Sequence, residues 1–451
     1  MPISIATNFK NVVFLLKLTF LLRTSIIKHI VNPSEFKKQL LEWSQQFREV
    51  IYLDSNCYPE KFRSYDAVLA IDAFTSIQTD FHNAFEDLKQ YQQQTKDWLF
   101  GYLTYDLKND VEKLNSANYD GLEFPDLFFF QPKKLFLIKD NTLEIQYLHF
   151  CDDEVETDFE EILQSQKSKV KSQKSEINVS QRISKENYIS KVEKMLNHIH
   201  RGDIYEANFC MEFYSENTLI NPMEIFEQLD DISEAPFAAF FKNYTNYLLS
   251  ASPERYLRKE GTKIISQPIK GTSKRFDNSE LDLQSKLELQ NNPKERSENI
   301  MIVDLVRNDL SKTATKGSVQ VEELCEIYTF KQVHQMISTI VSEIHPSTSS
   351  LEVIKSTFPM GSMTGAPKIS AMEVIEELEE TKRGLYSGAV GYFTPTGDFD
   401  FNVVIRSILY NSENQYLSFS VGSAITALSN PEKEYEECLL KAKAMHQVLK
   451  N

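Results

Sequence analysis

In the second half of this chain, strand-like apolar runs follow one another through very short connections. Runs at 385 to 393 and 399 to 410 flank Pro395-Thr396-Gly397-Asp398, which has turn chemistry, and another run follows at 415 to 421. Parallel neighbours need a crossover of a dozen or more residues, so strands joined this closely pair antiparallel. Helical periodicity at about 185 to 200, 279 to 290, 294 to 310, 366 to 380 and 431 to 449 is interleaved with these runs and with others at 204 to 213 and 246 to 250. The texture predicts an α+β fold, with largely antiparallel sheets packed centrally and helices on the outside. No fixed-period repeat is present.

The first half reads as scaffold. Residues 35 to 48 (EFKKQLLEWSQQFR) have helical spacing, IYLDS reads as a strand entering a turn, and DLFFF, KLFLI and TLEIQYLHF read as neighbouring antiparallel strands. From Glu154 to Gln181 the chain turns charged and repetitive, with few apolar residues after Leu163. The expected organisation is an N-terminal domain over 1 to 165, a linker or mobile loop over 166 to 181, and a chemistry-bearing domain over 182 to 451. The apolar run Val12 to Leu22 is interrupted by Lys17 and has no small-residue cleavage site nearby, so it is read as a packed element or an upstream extension.

Charge narrows the partners. Asp plus Glu number 65 against 49 Lys plus Arg, a formal charge of -16, which argues against nucleic acid and anionic membrane as partners. An anionic ligand therefore needs a local basic pocket. Five widely spaced cysteines form no CxxC pair, which points to a reducing, cytoplasmic setting. Of 13 glycines, eleven fall at or after Gly202 and six lie between Gly361 and Gly397. Glycine serves where backbone approaches closely or takes positive φ, so a site is expected in the C-terminal half.

Two helices carry carboxylates beside apolar stripes. Glu298 and Asp309 share a face with Met301, Ile302 and Leu305, where a carboxylate must be paired, with Arg307 or nearby backbone, or else bound to a cation. The second helix opens with Ser429-Asn430-Pro431-Glu432, a capping signature, and carries Glu434, Glu437 and Lys441 beside Tyr435, Cys438, Ala442, Met445 and Leu449. A solvated flank with a Glu437/Lys441 pair is one reading. If both helices face one cavity, Glu298 and Glu437 would instead hold a hard divalent cation such as Mg2+.

Glu254, in Ser-Pro-Glu-Arg, and Lys270, in Pro-Ile-Lys-Gly-Thr, each leave the end of a strand and are placed to be hairpin neighbours. Surface ion pairing is the plain account of either residue. A desolvated lysine can also act as nucleophile or base, and a buried glutamate can stay protonated and act as an acid. The loop Phe358 to Lys368 (FPMGSMTGAPK), with Thr364, Gly365 and Lys368, opens a helix and offers backbone amides suited to carboxylates or phosphates. It lacks the spacing of a phosphate-binding Walker loop.

Taken in order, these segments resemble the chorismate-utilising enzymes, the family of anthranilate, aminodeoxychorismate and isochorismate synthase large components. The resemblance rests on GDIY at 202 to 205, SPER at 252 to 255, PIKGT at 268 to 272, ENIMIVDLVRNDL at 298 to 310, FPMGSMTGAPK at 358 to 368, YSGAVGY at 386 to 392, Ile405-Arg406 and EYEECLLKAKAM at 434 to 445. IYLDS and WLFGYLTYDLKN (98 to 109) resemble the family's N-terminal domain more loosely. Lys270 resembles the aminodeoxychorismate synthase branch, since anthranilate synthases usually have alanine there. Glu206 stands where the water-using branch has a lysine. His334 and Gln335 are offset from a family histidine, and Gly422-Ser423-Ala424-Ile425 departs from a glycine-rich family segment.

What the resemblance implies is specific. Chorismate would be bound through Mg2+ held by Glu298 and Glu437, with Arg406, the amides around Gly422, Ser423 and Ala424, and Thr364, Gly365, Lys368 and Tyr392 contacting substrate. Lys270 would attack the ring as the hydroxyl leaves, Glu254 would protonate that hydroxyl, and ammonia would then displace the lysine to give 4-amino-4-deoxychorismate for 4-aminobenzoate and folate synthesis. The ammonia would come from a separate glutamine amidotransferase subunit. Anthranilate synthase component I and a noncatalytic chorismate-binding or amidotransferase-docking subunit are the alternatives.

Overall fold

The computed structural model describes residues 22–58, 61–165, 177–331 and 333–450. Expectations for residues 1 to 21, and for 166 to 176 of the charged segment, lie outside the described residues. At the end of that segment, Ser180–Gln181 already forms a short strand paired with Tyr214 and Phe213.

In the N-terminal portion, β1 (Glu49–Asp54), β2 (Ala67–Thr79), β3 (Leu99–Leu103) and β4 (Leu127–Lys139) pair in the order β1–β2–β4–β3. The C-terminal portion supplies β5 (Glu206–Ser215), β6 (Phe237–Asn243), β7 (Asn246–Ser252), β8 (Arg255–Glu260), β9 (Lys263–Gln267) and β10 (Ile269–Lys274). Helix α1 (Pro293–Ser311) precedes β11 (Val333–Glu343), β12 (Ala389–Phe393), β13 (Phe399–Val403), β14 (Ser407–Asn411) and β15 (Tyr416–Thr426), and α2 (Pro431–Lys450) follows.

These strands form one antiparallel ladder that can be followed from end to end. It runs β5–β15–β14–β7–β6–β1 into the N-terminal strands, and leaves them by β3–β12–β13–β8–β9–β11–β10. The ladder therefore crosses the expected division near residue 165 twice, at β1–β6 and β3–β12. Side chains alternate across it, and both faces are buried. Val50, Tyr52, Leu69 and Ile71 enter one core, while Ile51, Val68 and Ala70 enter the other. Long apolar runs such as Phe128 to Phe130 follow from this double burial.

Twice the chain passes from one arm of the ladder to the other within a few residues. Between β7 and β8 it turns at Pro253-Glu254, and between β13 and β14 it turns at Val404 to Arg406. The expected single strand over 399 to 410 is thus split, with Arg406 at φ 53° in the gap. A hydrogen bond from the Val403 amide to the Glu254 carbonyl (3.0 Å), and one from the Ala251 amide to the Arg406 carbonyl (3.2 Å), tie the two corners together.

The site helices start as their sequences dictate. Asn292 accepts from the amides of Lys294 (3.0 Å) and Glu295 (3.3 Å) ahead of Pro293, and Asn430 accepts from the Lys433 amide (3.0 Å). Asn430 rather than Ser429 thus caps α2; the Ser429 hydroxyl accepts from the Thr426 amide instead.

Glycine matters most where strands press together. A Cβ on Gly391 of β12 would lie 2.1 Å from the Asp400 carbonyl oxygen of β13. Gly391→Ala is expected to cost about 1–3 kcal/mol through forced strand displacement, read as a lowered denaturant midpoint. An unchanged midpoint would mean that the two strands have room to part.

Candidate active site

The two ends of the ladder meet at a buried ion pair. Lys270 Nζ, on β10, lies 3.0 Å from Glu206 Oε1, at the start of β5, with the two side chains 10% and 1% exposed. Lys270 stands where the β10–β11 register shifts, followed by Gly271 at φ 94°. A side chain there would press on Glu295 and Leu289, so glycine fits the bulge. Asn299 of α1 donates from its amide to the carbonyl of Met336 (3.2 Å), which fastens α1 over this end of the sheet.

Glu254 enters from its corner and is buried. The β8–β9 hairpin, with Arg255 opposite Gln267, makes Glu254 and Lys270 near neighbours as expected. Burial pushes the Glu254 carboxyl up to about 7, against the opposing effects of the Ser362 hydroxyl, the Lys270 ammonium and the Ile269 amide. Burial likewise raises Glu298 of α1 to about 7, against the pull of Lys270 and Lys294. For Lys270, burial lowers the ammonium, but Glu206, Glu298 and Glu254 together outweigh it and leave it raised.

Helix α2 closes the other side. Burial pushes the Glu437 carboxyl up, but Lys441, with its ammonium 2.6 Å away, joins Lys294 and Lys270 to hold it below its ordinary value. Lys441 also donates to the Gly422 carbonyl (2.8 Å), and the Ser423 hydroxyl donates to Glu434. Lys294 reaches from α1 to Glu434 at 3.1 Å and to Glu298 at 3.6 Å. Arg406 is lowered by burial and supported by Tyr386 and Glu437. Gly422, Ser423 and Ala424 lie on β15 opposite Cys210, Phe209 and Asn208 of β5.

Glu254, Lys270, Glu298, Glu437 and Arg406 are thus linked electrostatically, and Gly422 and Ser423 bond to the α2 side chains beside them. Other expected residues stand apart from this group. Lys368 donates to Asp309 and to the carbonyls of Thr357 (3.0 Å) and Pro359 (2.9 Å), so it locks the 358 to 368 loop from beneath. Asp309, read as free to choose between Arg307 and a cation, is held by Lys368 and Lys312; Arg307 pairs with Asp304. The Thr364 hydroxyl donates to the carbonyls of Met360 (3.3 Å) and Gly361 (3.2 Å). Gly365 pairs with Ala207, where a Cβ would meet the Glu206 carbonyl at 2.1 Å.

Tyr392 packs among Trp98 and Phe100, at ring distances of 5.7 and 5.5 Å, in the field of Asp400 and Arg258. Its companion in YSGAVGY, Tyr386, is the tyrosine beside Arg406. Spacing alone did not separate the two; the positive φ of Ser387 (63°) does, by turning Tyr386 off the strand that carries Tyr392. Lys294 and Ser362 had no sequence signal beyond their residue type, whereas Lys441 was read as a partner of Glu437 and Glu206 as a departure from the water-using branch.

Glu298 Oε1 is buried and accepts no hydrogen bond. Among the described residues, no group of three or more His, Cys, Asp or Glu side chains forms a complete metal cage. Two carboxylates still suit Mg2+, which keeps several waters and substrate oxygens in its shell.

An acid, an amine and two helix-borne glutamates gather between the arms of this sheet, and the chain belongs to the chorismate-binding enzymes, whose family model matches residues 48–447. An anthranilate synthase component I-like protein of Synechocystis is 35% identical over 77% of this chain and 71% of its own length. Aminodeoxychorismate synthase component 1 of Bacillus subtilis is 30% identical over 86% of this chain and 83% of its own. The chain spans 30% and 28% of the longer chloroplastic aminodeoxychorismate synthases it also matches. In fold it is similar to anthranilate synthase component I of Streptococcus pneumoniae, with a TM-score of 0.73 at 24% identity over 86% of this chain and 93% of that one.

Lys368→Met is expected to cost about 3 kcal/mol by leaving the buried Asp309 short of a cation. Thermal unfolding would show the loss, with the KM for substrate little changed. A raised KM at wild-type stability would return Lys368 to the substrate site.

Proposed function

We propose that this chain is an aminodeoxychorismate synthase component 1, joining chorismate and ammonia to give 4-amino-4-deoxychorismate. The observation that carries the reading is Lys270, a buried amine in the field of Glu254, whose carboxyl burial pushes up to about 7 so that it keeps part of its proton at neutral pH. An amine so placed attacks the ring, and Glu254 hands its proton to the departing hydroxyl. One difficult substitution becomes two easier ones, and ammonia completes the second.

Arg406 supplies a fixed cation for a substrate carboxylate, supported by Tyr386 and Glu437. Glu298 and Glu437 would hold Mg2+, which when bound neutralises a second substrate carboxylate. Lys294 and Lys441 add positive charge in a chain of net charge -16. Ammonia would be delivered by a glutamine amidotransferase subunit, consistent with relatives named as component 1. We place the protein in the cytoplasm: its five cysteines are free, and no helix among the described residues is long and apolar enough to cross a membrane.

Incubation with chorismate, ammonium and Mg2+, followed by product identification, tests the assignment. Aminodeoxychorismate is expected; anthranilate would favour the activity named for the Synechocystis relative. Lys270→Ala should lower kcat at saturating ammonium by about 100-fold or more while moving KM for chorismate far less. Undiminished turnover would remove the covalent step.

Glu254 must carry its proton to act. Since its carboxyl titrates at about 7, the protonated fraction is full at lower pH and falls as pH rises through that value. The basic limb of kcat is therefore expected near neutrality and should vanish in Glu254→Gln. A basic limb retained in that variant would assign it to another group.

A further inference from the structure

The reaction leaves Glu206 without a task, although this carboxylate is the one in ion-pair contact with Lys270. Its side chain is 1% exposed, and Oε1 lies 3.0 Å from Lys270 Nζ. Its other oxygen, Oε2, is buried and accepts no hydrogen bond. A buried carboxylate oxygen without a donor is costly. The backbone there cannot drift, because Glu206 pairs with Thr426 and Ala366 and a Cβ on Gly365 would strike its carbonyl at 2.1 Å.

We propose that Glu206 is the proton acceptor that discharges Lys270, holding the ammonium proton while Nζ is bonded to the substrate and returning it afterwards. The inference rests on the reading of Lys270 as the nucleophile. An ammonium has no lone pair, and the surroundings of Lys270 keep it protonated at rest. The groups around it are Glu254 from the corner, Glu298 and Lys294 from α1, and Glu437 and Lys441 from α2. Lys294 and Lys441 are cations. Glu254 must arrive protonated to serve as the acid, and Glu298 and Glu437 are assigned to the cation. Glu295 of α1 lies against Gly271, and Glu434 of α2 is bonded to Lys294 and Ser423, whereas Glu206 is the carboxylate in ion-pair contact with Lys270 Nζ.

The protons balance. Glu206 takes one from Lys270, whose free Nζ pair forms the bond to the ring. Both ring double bonds shift, the C–O bond breaks, and the hydroxyl leaves as water with the Glu254 proton. Ammonia then forms the new C–N bond at that carbon, both double bonds shift back, and the Nζ–C bond breaks with its electron pair returning to nitrogen. Lys270 recovers its proton from Glu206, while the new ammonium gives one to Glu254. The net change is chorismate plus ammonia to aminodeoxychorismate plus water.

The test compares wild type, E206Q and E206D in two measurements. One is kcat against pH at saturating ammonium. The other is the pH midpoint for modification of Lys270 by an amine-selective reagent in metal-free buffer, read by peptide mass spectrometry. In E206Q, kcat should fall about 100-fold at pH near 7 and stay low as pH rises, because Glu254 loses its proton over the same range, with KM for chorismate little changed. The labelling midpoint should drop by about one unit. E206D should regain the wild-type pH profile at a lower rate.

The proposal is overturned if E206Q keeps the wild-type rate and profile, or if it loses activity while Lys270 labels at the wild-type midpoint. It is also overturned if folded E206D behaves as E206Q does, or if the wild-type midpoint lies at or below the ordinary 10.5. Absence of aminodeoxychorismate from the wild-type reaction would sink the reaction assignment instead. The labelling titration would still judge the pair.

Discussion

The Glu206–Lys270 contact joins the two ends of a single antiparallel ladder, and the rest of the site is arranged around that closure. Isolated buried charges are expensive, and removing one member of a buried pair typically costs about 3–5 kcal/mol. The pair bridges β5 and β10, two strands that share no backbone ladder. The tight approach at Gly365 and the bulge at Gly271 shape the backbone so that the two side chains meet.

Around this pair the protein separates the behaviour of otherwise identical carboxyls. Glu254 and Glu298 are pushed up to about 7 by burial, whereas Glu437, with Lys441 at 2.6 Å, is held low. Glutamates of one chemical kind thus differ in how readily they hold a proton through surroundings alone, the same logic by which enzymes run acid and base chemistry at one pH. Two corners of the ladder deliver Glu254 and Arg406, so the acid and the fixed cation come from backbone that is tied by hydrogen bonds on both sides.

Much of the fold was legible. Helices at 185 to 201, 279 to 291, 293 to 311 and 431 to 450 stand where periodicity and Asn or Ser caps put them. The antiparallel class followed from short turns. Phe237–Asn243 and Val333–Glu343 were not read as strands, although Pro236 and Pro346 stand near their ends. The break at Arg406 was also hidden, because nothing in Val403-Val404-Ile405 signals the end of a strand.

For the site, the motifs named Lys270, Glu254, Glu298, Glu437 and Arg406 as a set, because residue type and local order survive in the sequence. The same motifs named Tyr392 and Lys368, which the structure places against Trp98 and Phe100 and on Asp309: a motif records neighbours along the chain and says nothing about which face each one takes. Composition, spacing and capping determined the fold class and the inventory of acids and amines, and the resemblance of the ordered motifs pointed to the family. Tertiary structure alone decided that Tyr386 rather than Tyr392 stands by Arg406, that Lys368 binds Asp309, and that Glu206 meets Lys270. Each of those contacts joins residues from different strands or helices, and proximity of that kind depends on how the whole ladder closes.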